Sequence, residues 1–198
     1  MYRLLETIKI SQGILQNINF HNERFNRTRF ELFGIKKTLQ LENEIQLPES
    51  IGKSTFKCRV IYLKKILKVE IRPYQTHKIN SLRIVHDNSI YYEYKYENRE
   101  RLNKLFLQKG NQDDIMIISN GLVTDTSFCN IVFSDGNKLI TPSTPLLKGT
   151  KREKLLREGI IIEDDIKHTN IHLFKKLFLI NAMIDLEDNF EISTDKIF

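Results

Sequence analysis

LVTDTSFCN, residues 122–130, follows an Asn120-Gly121 pair and an apolar run at 115–119. Asn-Gly between two such segments is typical of a tight β-hairpin turn. The pattern predicts one buried strand before the turn and a second strand that starts directly after it. It also places a single acidic residue, Asp125, among small polar ones.

The neighbouring segments predict further strands and helices in the second half of the chain. Helical periodicity over 99–107 ends near Gly110, and a second helix over 150–157 follows a glycine, as helices that bind phosphate often do. The predicted strands in this half also cover 130–134, 139–140, 160–162 and 177–180, with a short helical piece near 171–174.

The first half of the chain predicts strands around one early helix. The helix opens at His21-Asn22-Glu23-Arg24 and stops at Gly34, a usual C-terminal signal. Two β-rich segments separated by Lys64-Lys65 predict a hairpin. The predicted strands of this half cover 4–10, 14–18, 56–63, 66–72 and 81–85.

Together these elements predict an α/β (α+β) fold made of two small lobes. We expect a small N-terminal α/β lobe over 1–86, a connection over 87–93 and a larger C-terminal α/β lobe over 94–198. A chain of 198 residues suffices for one large domain or for two small ones that share a cleft. We expect the functional site in that cleft, because ligand sites favour domain interfaces.

The composition is that of a folded globular protein, with 40% hydrophobic and 28% charged residues. The net charge is +6 and the pI is about 9.2. A basic pI can indicate nucleic-acid binding. Here, however, the lysines are scattered among acidic residues, and no basic run is interleaved with aromatic ones. We therefore expect no nucleic-acid partner, and a small anionic or amino-acid substrate instead.

No segment predicts a membrane span or a metal site. The apolar runs at 115–118 and 177–180 are far shorter than the roughly 20 residues that a membrane helix requires. The N-terminus lacks the apolar core and cleavage site of a signal peptide, so we expect a cytoplasmic protein. Cys58 and Cys129 form no C-x-x-C pattern, and no His/Cys/Asp cluster has ligand spacing. We expect neither a disulfide framework nor a metal.

Six short segments match the order and spacing of one known pattern. They are Leu5-Glu6-Thr7-Ile8-Lys9, His21-Asn22-Glu23-Arg24, Lys95 with Asn98-Arg99, Val123-Thr124-Asp125 followed by Asn130, Leu147-Lys148-Gly149-Thr150-Lys151-Arg152, and Ile180-Asn181-Ala182-Met183. They resemble motifs of the fold-type IV pyridoxal-phosphate enzymes. That family includes the class IV aminotransferases and 4-amino-4-deoxychorismate lyase.

The resemblance implies pyridoxal 5′-phosphate as the cofactor, with Lys95 at its aldehyde and Asp125 at its ring nitrogen. Lys95 would form the Schiff base with the aldehyde and would then move a proton at the carbon next to the imine. Asp125, which stands where the family has glutamate, would keep the ring nitrogen protonated, so that the ring acts as an electron sink. Thr7 would help to move a proton to the departing group, and Asn130 would act as a local backbone clamp.

The remaining predicted cofactor contacts surround the phosphate. Arg24 fills the arginine position of the H-x-x-R segment, and Arg27 on the same helix face is the alternative. Backbone N–H groups at a helix start also favour phosphate. The residues predicted to bind phosphate in this way, or to complete its binding loop, are Gly149, Thr150, Lys151, Asn181 and Ala182. Arg72 and His77 are further candidates, without motif support, for binding a substrate carboxylate.

The resemblance favours a lyase, working as a homodimer, that eliminates pyruvate from aminodeoxychorismate to form 4-aminobenzoate. Asn98-Arg99 and Asn181-Ala182 favour this lyase over a class IV aminotransferase that acts on D- or branched-chain amino acids. Relatives carry an earlier strand and loop that line the substrate pocket, whereas this chain begins almost on the strand that contains Thr7. That departure, with Asp125 in place of glutamate, motivates a second alternative, a non-catalytic relative. A nucleic-acid-binding module is the third.

Overall fold

The structure is a computed structural model that describes residues 2–48, 51–52 and 54–198. The chain divides into two compact units, Met1–Thr76 with Tyr94–Asn98, and His77–Glu93 with Arg99–Phe198. The boundaries of these units differ from those of the predicted lobes at 1–86 and 94–198, at both ends of the predicted connection. Residues 77–93 belong to the second unit, which contains the strand pair formed by 82–86 and 114–118. Residues 94–98 belong to the first unit because Tyr96 bridges to Leu4.

The described residues of the first unit form one antiparallel sheet and two helices. Its elements are β1 (Leu4–Ser11), β2 (Ile14–Leu15), α1 (Ile18–Phe33), α2 (Leu41–Glu44), β3 (Phe56–Tyr62) and β4 (Ile66–Pro73). The strands lie in the order β2-β1-β3-β4, and each neighbouring pair is antiparallel. The predicted hairpin of β3 and β4 is confirmed.

One face of β1 forms the core of the first unit. Leu4, Ile8 and Ile10 are completely buried and cluster with Phe25 of α1. Side chains of a strand alternate between the two faces of its sheet, so every second residue of β1 contributes to this core. The residues between them, such as Thr7, therefore belong to the opposite face.

The ends of α1 follow from two left-handed residues. Asn17 has a φ of 52° and turns the chain into the helix at Ile18, so the helix begins earlier, and β2 is shorter, than the sequence predicts. Gly34 ends the helix as predicted, with a φ of 68° and an N–H that donates to the Phe30 carbonyl at 2.8 Å.

The second unit is built around a larger mixed sheet. Its elements are β5 (Leu82–His86), α3 (Glu100–Phe106), β6 (Asp114–Ser119), β7 (Leu122–Thr126), β8 (Asn130–Ser134), β9 (Leu139–Pro142), α4 (Thr150–Arg157), β10 (Ile162–Asp164), β11 (Lys176–Ile180) and β12 (Glu191–Ser193). The sheet order is β10-β9-β8-β7-β6-β5, with β11 paired to β8 and β12 paired to β11. Two sheets with associated helices confirm the predicted α/β (α+β) class.

The hairpin of β6 and β7 forms at the predicted turn. Asn120 and Gly121 have φ values of 50° and 79°. Positive φ at both central residues is what a type I′ turn requires, and that turn matches the twist of the strands it joins. The turn leads directly into β7, so Asp125 lies within a buried strand of the sheet.

The predicted strand over 160–162 lies two residues further along the chain, at Ile162–Asp164. The reason is the way in which α4 ends. Gly159 has a φ of 68°, and the N–H groups of Ile160 and Ile161 both donate back to the Leu155 carbonyl. These two residues complete the hydrogen bonds of the helix end and cannot pair in the sheet.

Within the residues that the structure describes, no helix is both long and apolar enough to cross a bilayer.

Candidate functional site

Lys95 lies in a short segment that is tied to the start of β1. Its carbonyl accepts a hydrogen bond from the Leu5 N–H at 2.9 Å, and Tyr96 bridges to Leu4. The Tyr96 N–H donates to the Tyr94 carbonyl at 2.8 Å, which makes Lys95 the middle residue of a γ-turn. Tyr94 and Tyr96 pack against the core of the first unit. The backbone of Lys95, whose side chain is half-buried, is therefore fixed on both sides.

Thr7 lies in the middle of β1, between the buried residues Glu6 and Ile8. Thr7 itself is half-buried, and its partner across the sheet is Arg59 of β3. The hydroxyl of Thr7 therefore belongs to the face of the sheet that does not form the apolar core.

A row of cations crosses the same face. Lys9, Lys57 and Arg72 are partners in register on β1, β3 and β4. Arg59 lies two residues further along β3 and pairs with Glu70 at 2.9 Å. Like charges directly opposite one another destabilise a sheet. Glu70 also lies 3.9 Å from Arg72, so one carboxylate offsets part of this charge. The four cations still outnumber that carboxylate, which suits an anionic ligand.

Arg24 is held by a buried network of charged and polar groups. Its Nε donates to Oε1 of Glu6 at 2.9 Å, and its Nη2 donates to Oε2 of Glu6 at 2.6 Å. Nδ1 of His21 lies 2.6 Å from the same Oε2. The side chain of Glu6 is completely buried, and that of Arg24 is nearly so. The arginine predicted to bind phosphate thus has a carboxylate partner within its own unit.

The surrounding charges determine the protonation of this network. Burial would raise the pKa of Glu6, but the Arg24 charge and the hydrogen bonds from His21 and Arg24 outweigh burial and lower the pKa from 4.5 to about 2. Burial lowers the pKa of His21, against the hydrogen bond to Glu6, and the nearby charges of Arg24 and Lys95 add to the lowering. At neutral pH the network therefore contains an ionised Glu6 and a neutral His21.

Asp125 is a buried carboxylate with a donor on each oxygen. Its Oδ1 accepts a hydrogen bond from Nδ2 of Asn130 at 2.7 Å, and its Oδ2 accepts one from the Leu147 N–H at 3.0 Å. Burial raises the pKa of Asp125 from 3.8 to about 6, although the hydrogen bonds from Leu147 and Asn130 lower it. The group is ionised at neutral pH but poorly solvated, so it favours a protonated partner.

Gly149 lies where the chain passes very close to Asn130. A Cβ atom at position 149 would overlap Oδ1 of Asn130 and lie 3.2 Å from its Cγ. The φ of Gly149 is −68°, which any residue can adopt, so the close approach alone requires glycine. Gly149 is also the N-cap of α4, and the first helical bond runs from the Glu153 N–H to its carbonyl at 2.9 Å. The first-turn N–H groups and the positive end of the helix dipole lie beside it.

We expect Gly149→Ala to lower the free energy of unfolding by about 1–3 kcal/mol. The new methyl group must displace the Asn130 amide, which is held by hydrogen bonds to Asp125 and Leu147. Chemical denaturation of the purified variant measures the effect. Gly52→Ala is the matched control, because no atom lies within 4 Å of a Cβ at that position. Equal stabilities of the two variants would contradict the close approach.

Three buried polar residues begin α4, namely Thr150, Lys151 and Arg152. The Lys151 ammonium pairs with Asp185. Arg152 donates to the Pro142 carbonyl at 2.8 Å and also forms an ion pair with a glutamate of β10. The side chain of Lys151 is thus engaged within its own unit, and a phosphate contact from this residue would come from its backbone.

Asn181 and Ala182 lie in a tight turn after β11. Oδ1 of Asn181 accepts hydrogen bonds from the N–H groups of Met183 at 2.7 Å and Ile184 at 3.0 Å. Its Nδ2 lies 3.1 Å from Sγ of Cys129. Asn181 therefore shapes its own turn and ties it to the hairpin between β7 and β8. Ala182 is half-buried beside it.

Each unit brings together part of the predicted set. In the first unit, Thr7 lies on β1, Lys95 is bound beside it, and Arg24 pairs with the residue next to Thr7. In the second unit, Asp125 and the 147–149 turn share Asn130. The alternative phosphate residue Arg27 and the carboxylate candidate His77 are exposed, and Arg72 lies in the cationic row.

The partners that hold these residues were not predicted from the sequence. Glu6 and His21 occur within the quoted segments, and a carboxylate in the middle of an otherwise apolar strand face was the available signal. Asp185, the partner of Lys151, carries no such signal. Among the described side chains, no group of three or more His, Cys, Asp or Glu could hold a metal ion.

Comparison with known proteins identifies the family. The family described as "Amino-transferase class IV" matches residues 59–186, which include Lys95, Asp125 and Gly149. The chain therefore belongs to the class IV aminotransferase family, as its motifs predict.

Individual relatives extend this similarity over nearly the whole chain. A Haemophilus influenzae protein named "Uncharacterized protein" is 42% identical over 185 residues, which are 92% of this chain and 98% of that protein. A crystal structure described as a "putative 4-amino-4-deoxychorismate lyase" from Haemophilus somnus is 33% identical, covers 94% of this chain and 98% of its own, and has a TM-score of 0.88. A third structure, "A hypothetical aminotransferase from Mycobacterium tuberculosis, PLP-bound form", is 14% identical, covers 92% of this chain and 78% of its own, and has a TM-score of 0.74. This last similarity shows the fold alone.

Proposed function

We propose that this protein is a pyridoxal-phosphate-dependent lyase that eliminates pyruvate from 4-amino-4-deoxychorismate to form 4-aminobenzoate. The observation that carries the proposal is the buried Asp125 carboxylate, which lies at the acidic position of the family and accepts a hydrogen bond on each oxygen. The provisional description of the Haemophilus somnus structure, at 33% identity over nearly the whole chain, supports this choice of reaction.

The residues present fit pyridoxal phosphate by their chemistry. The first unit contains a half-buried lysine, Lys95, for the aldehyde and a buried arginine, Arg24, for the phosphate. The second unit contains Asp125 for the ring nitrogen, and the start of α4 and the Asn181 turn for the phosphate. A buried carboxylate suits a protonated ring nitrogen, because each charge then offsets the desolvation of the other. When bound, the cofactor supplies an electron sink for the charge that develops beside the substrate amine.

The proton transfers are assigned to two side chains of the first unit. Lys95 would take a proton from the substrate carbon next to the amine and hold it at Nζ. Thr7 would pass a proton from Oγ1 to the methylene carbon of the enolpyruvyl group as that group leaves. The proton held at Nζ of Lys95 would replace it on Oγ1, so that the proton taken from the substrate ends on pyruvate. The γ-turn at Lys95 fixes the backbone, so only the torsions of the lysine side chain have to be ordered before the transfer.

The cationic row supports an anionic substrate. Aminodeoxychorismate carries two carboxylates, and Lys9, Lys57 and Arg72 lie on the same face of the sheet as Thr7. Binding a dianion there would relieve the repulsion between neighbouring cations. A branched-chain amino acid, one of the substrates of the aminotransferase alternative, carries a single carboxylate and would neutralise less of this charge.

We expect the protein, supplied with pyridoxal phosphate, to release pyruvate from aminodeoxychorismate in the absence of any keto acid. Pyruvate is measured by coupled oxidation of NADH, and 4-aminobenzoate by its fluorescence, and the two should form in equal amounts. Product that forms only when a keto acid is added would instead identify an aminotransferase. Protein that binds the cofactor but turns over under neither condition would be a non-catalytic relative.

A further inference from the structure

Asp125 and Asn130 are partners across a short hairpin. Residues 127–129 join β7 to β8, and the Thr126 N–H donates to the Cys129 carbonyl at 2.9 Å. This bond sets Asp125 directly opposite Asn130 in register. Residues opposite one another in an antiparallel pair have their side chains on the same face. The five-residue spacing between the two side chains in the sequence therefore places them in contact.

We propose that Asn130 is a positioning residue that locks the Asp125 carboxylate and the turn before α4 into one rigid group. The residue assigned to the cofactor ring and the turn assigned to its phosphate would then keep a fixed relation to each other. The assignment of Asp125 to the cofactor ring and of the turn to its phosphate rests on the proposed function, whereas the rigid group itself does not.

The Asn130 amide uses both of its N–H donors within this group. Nδ2 donates to Oδ1 of Asp125 at 2.7 Å and to the Leu147 carbonyl at 2.9 Å. The Leu147 N–H donates in turn to Oδ2 of Asp125 at 3.0 Å. The three residues thus form a closed ring of hydrogen bonds. The opposite orientation of the amide would place its oxygen against two acceptors, so the chemistry of the partners determines the assignment.

The amide oxygen of Asn130 makes the second contact with the turn. It lies so close to Gly149 that a Cβ at that position would overlap it. The 147–149 turn is therefore joined to Asn130 by a hydrogen bond at one residue and by close packing at another. A displacement of the turn would break the first contact or tighten the second, so the turn and Asn130 must move together.

Burial makes the donor from Asn130 important for the charge on Asp125. Asp125 is only 5% exposed and Asn130 only 6% exposed, so water does not readily replace a hydrogen bond that is lost between them. Without the Asn130 donor, the carboxylate form of Asp125 loses one of its stabilising partners and the neutral form is favoured. A neutral Asp125 is a weaker partner for a protonated ring nitrogen.

The test compares Asn130→Ala with the exposed control Asn111→Ala in the full chain. We expect the Asp125 titration, followed by carbon-13 NMR without cofactor and assigned with Asp125→Asn, to move up by about one to two pH units in Asn130→Ala. The Kd for pyridoxal phosphate should rise about 10-fold or more. Asn130→Ser keeps one donor and should give an intermediate titration, and it replaces the alanine variant if that variant does not fold. The control should match the wild type in both measurements.

Two outcomes separate this proposal from the proposed function. An unchanged Asp125 titration in Asn130→Ala, even with a lower melting temperature, would overturn the positioning role and leave Asn130 as a packing residue. If the Asp125 titration shifts in Asn130→Ala while the wild-type protein releases no pyruvate, the rigid group is supported and the lyase is not.

Discussion

Lys95→Ala is expected to abolish the visible absorbance of the protein reconstituted with pyridoxal phosphate and to lower the rate of pyruvate release by about 10²–10⁴-fold. Alanine removes both the amine that captures the aldehyde and the group that moves the proton. An absorbance spectrum and the pyruvate assay measure the two losses independently. The effect should be confined to the chemistry, because the γ-turn is closed by backbone groups that alanine retains.

Two variants make this experiment specific. Lys36→Ala removes an exposed lysine of the same unit and should change neither the spectrum nor the rate. Lys95→Arg keeps a positive charge but provides no amine that can capture an aldehyde at neutral pH, so it should fail like the alanine variant. Retention of the visible absorbance in Lys95→Ala would assign the aldehyde to another residue and contradict the proposed role.

Glu6→Gln is expected to lower the free energy of unfolding by about 3–5 kcal/mol at neutral pH. The substitution keeps the shape of the side chain but leaves the Arg24 charge buried without its carboxylate. It also weakens the hydrogen bond to His21, which is itself buried. Denaturant titrations of wild type and variant measure the difference, and Glu31→Gln, an exposed position on α1, should leave the stability unchanged.

The same pair of proteins predicts a pH dependence. The pKa of Glu6 is lowered on folding, from 4.5 to about 2, so the folded state favours the ionised form. Its contribution is fully present above the unfolded pKa and is lost as the pH falls through the folded pKa. The stability difference between wild type and Glu6→Gln should therefore be constant from pH 7 to about 5 and should shrink as the pH falls from about 4.5 to 2. A difference that stays constant down to pH 2 would contradict the ionised network.

Local features of this chain could be predicted from the sequence because their causes are local. The turn at Asn120-Gly121 requires only that both residues tolerate positive φ, and Gly34 ends α1 for the same reason. The alternation of β1 follows from the period of a strand. The places of Lys95 and Asp125 in the family pattern could likewise be recognised from the short sequence segments around them.

The partners of the candidate site could not be predicted in the same way, because they depend on how distant segments pack. The Arg24–Glu6 pair joins residues 18 positions apart, and the Lys151–Asp185 pair joins residues 34 positions apart. No periodicity links such positions. The close approach of Gly149 to Asn130 is likewise visible only once α4 and β8 lie side by side.

The hairpin that joins β7 to β8 has a consequence for attempts to redesign this protein. An insertion or deletion between Thr126 and Cys129 would shift the register of the two strands and move Asp125 away from Asn130. The length of this loop should therefore be kept unchanged. The residue at the tip of the loop can be changed instead. Phe128 is 44% exposed, so mutagenesis libraries can vary this side chain while the loop keeps its number of residues.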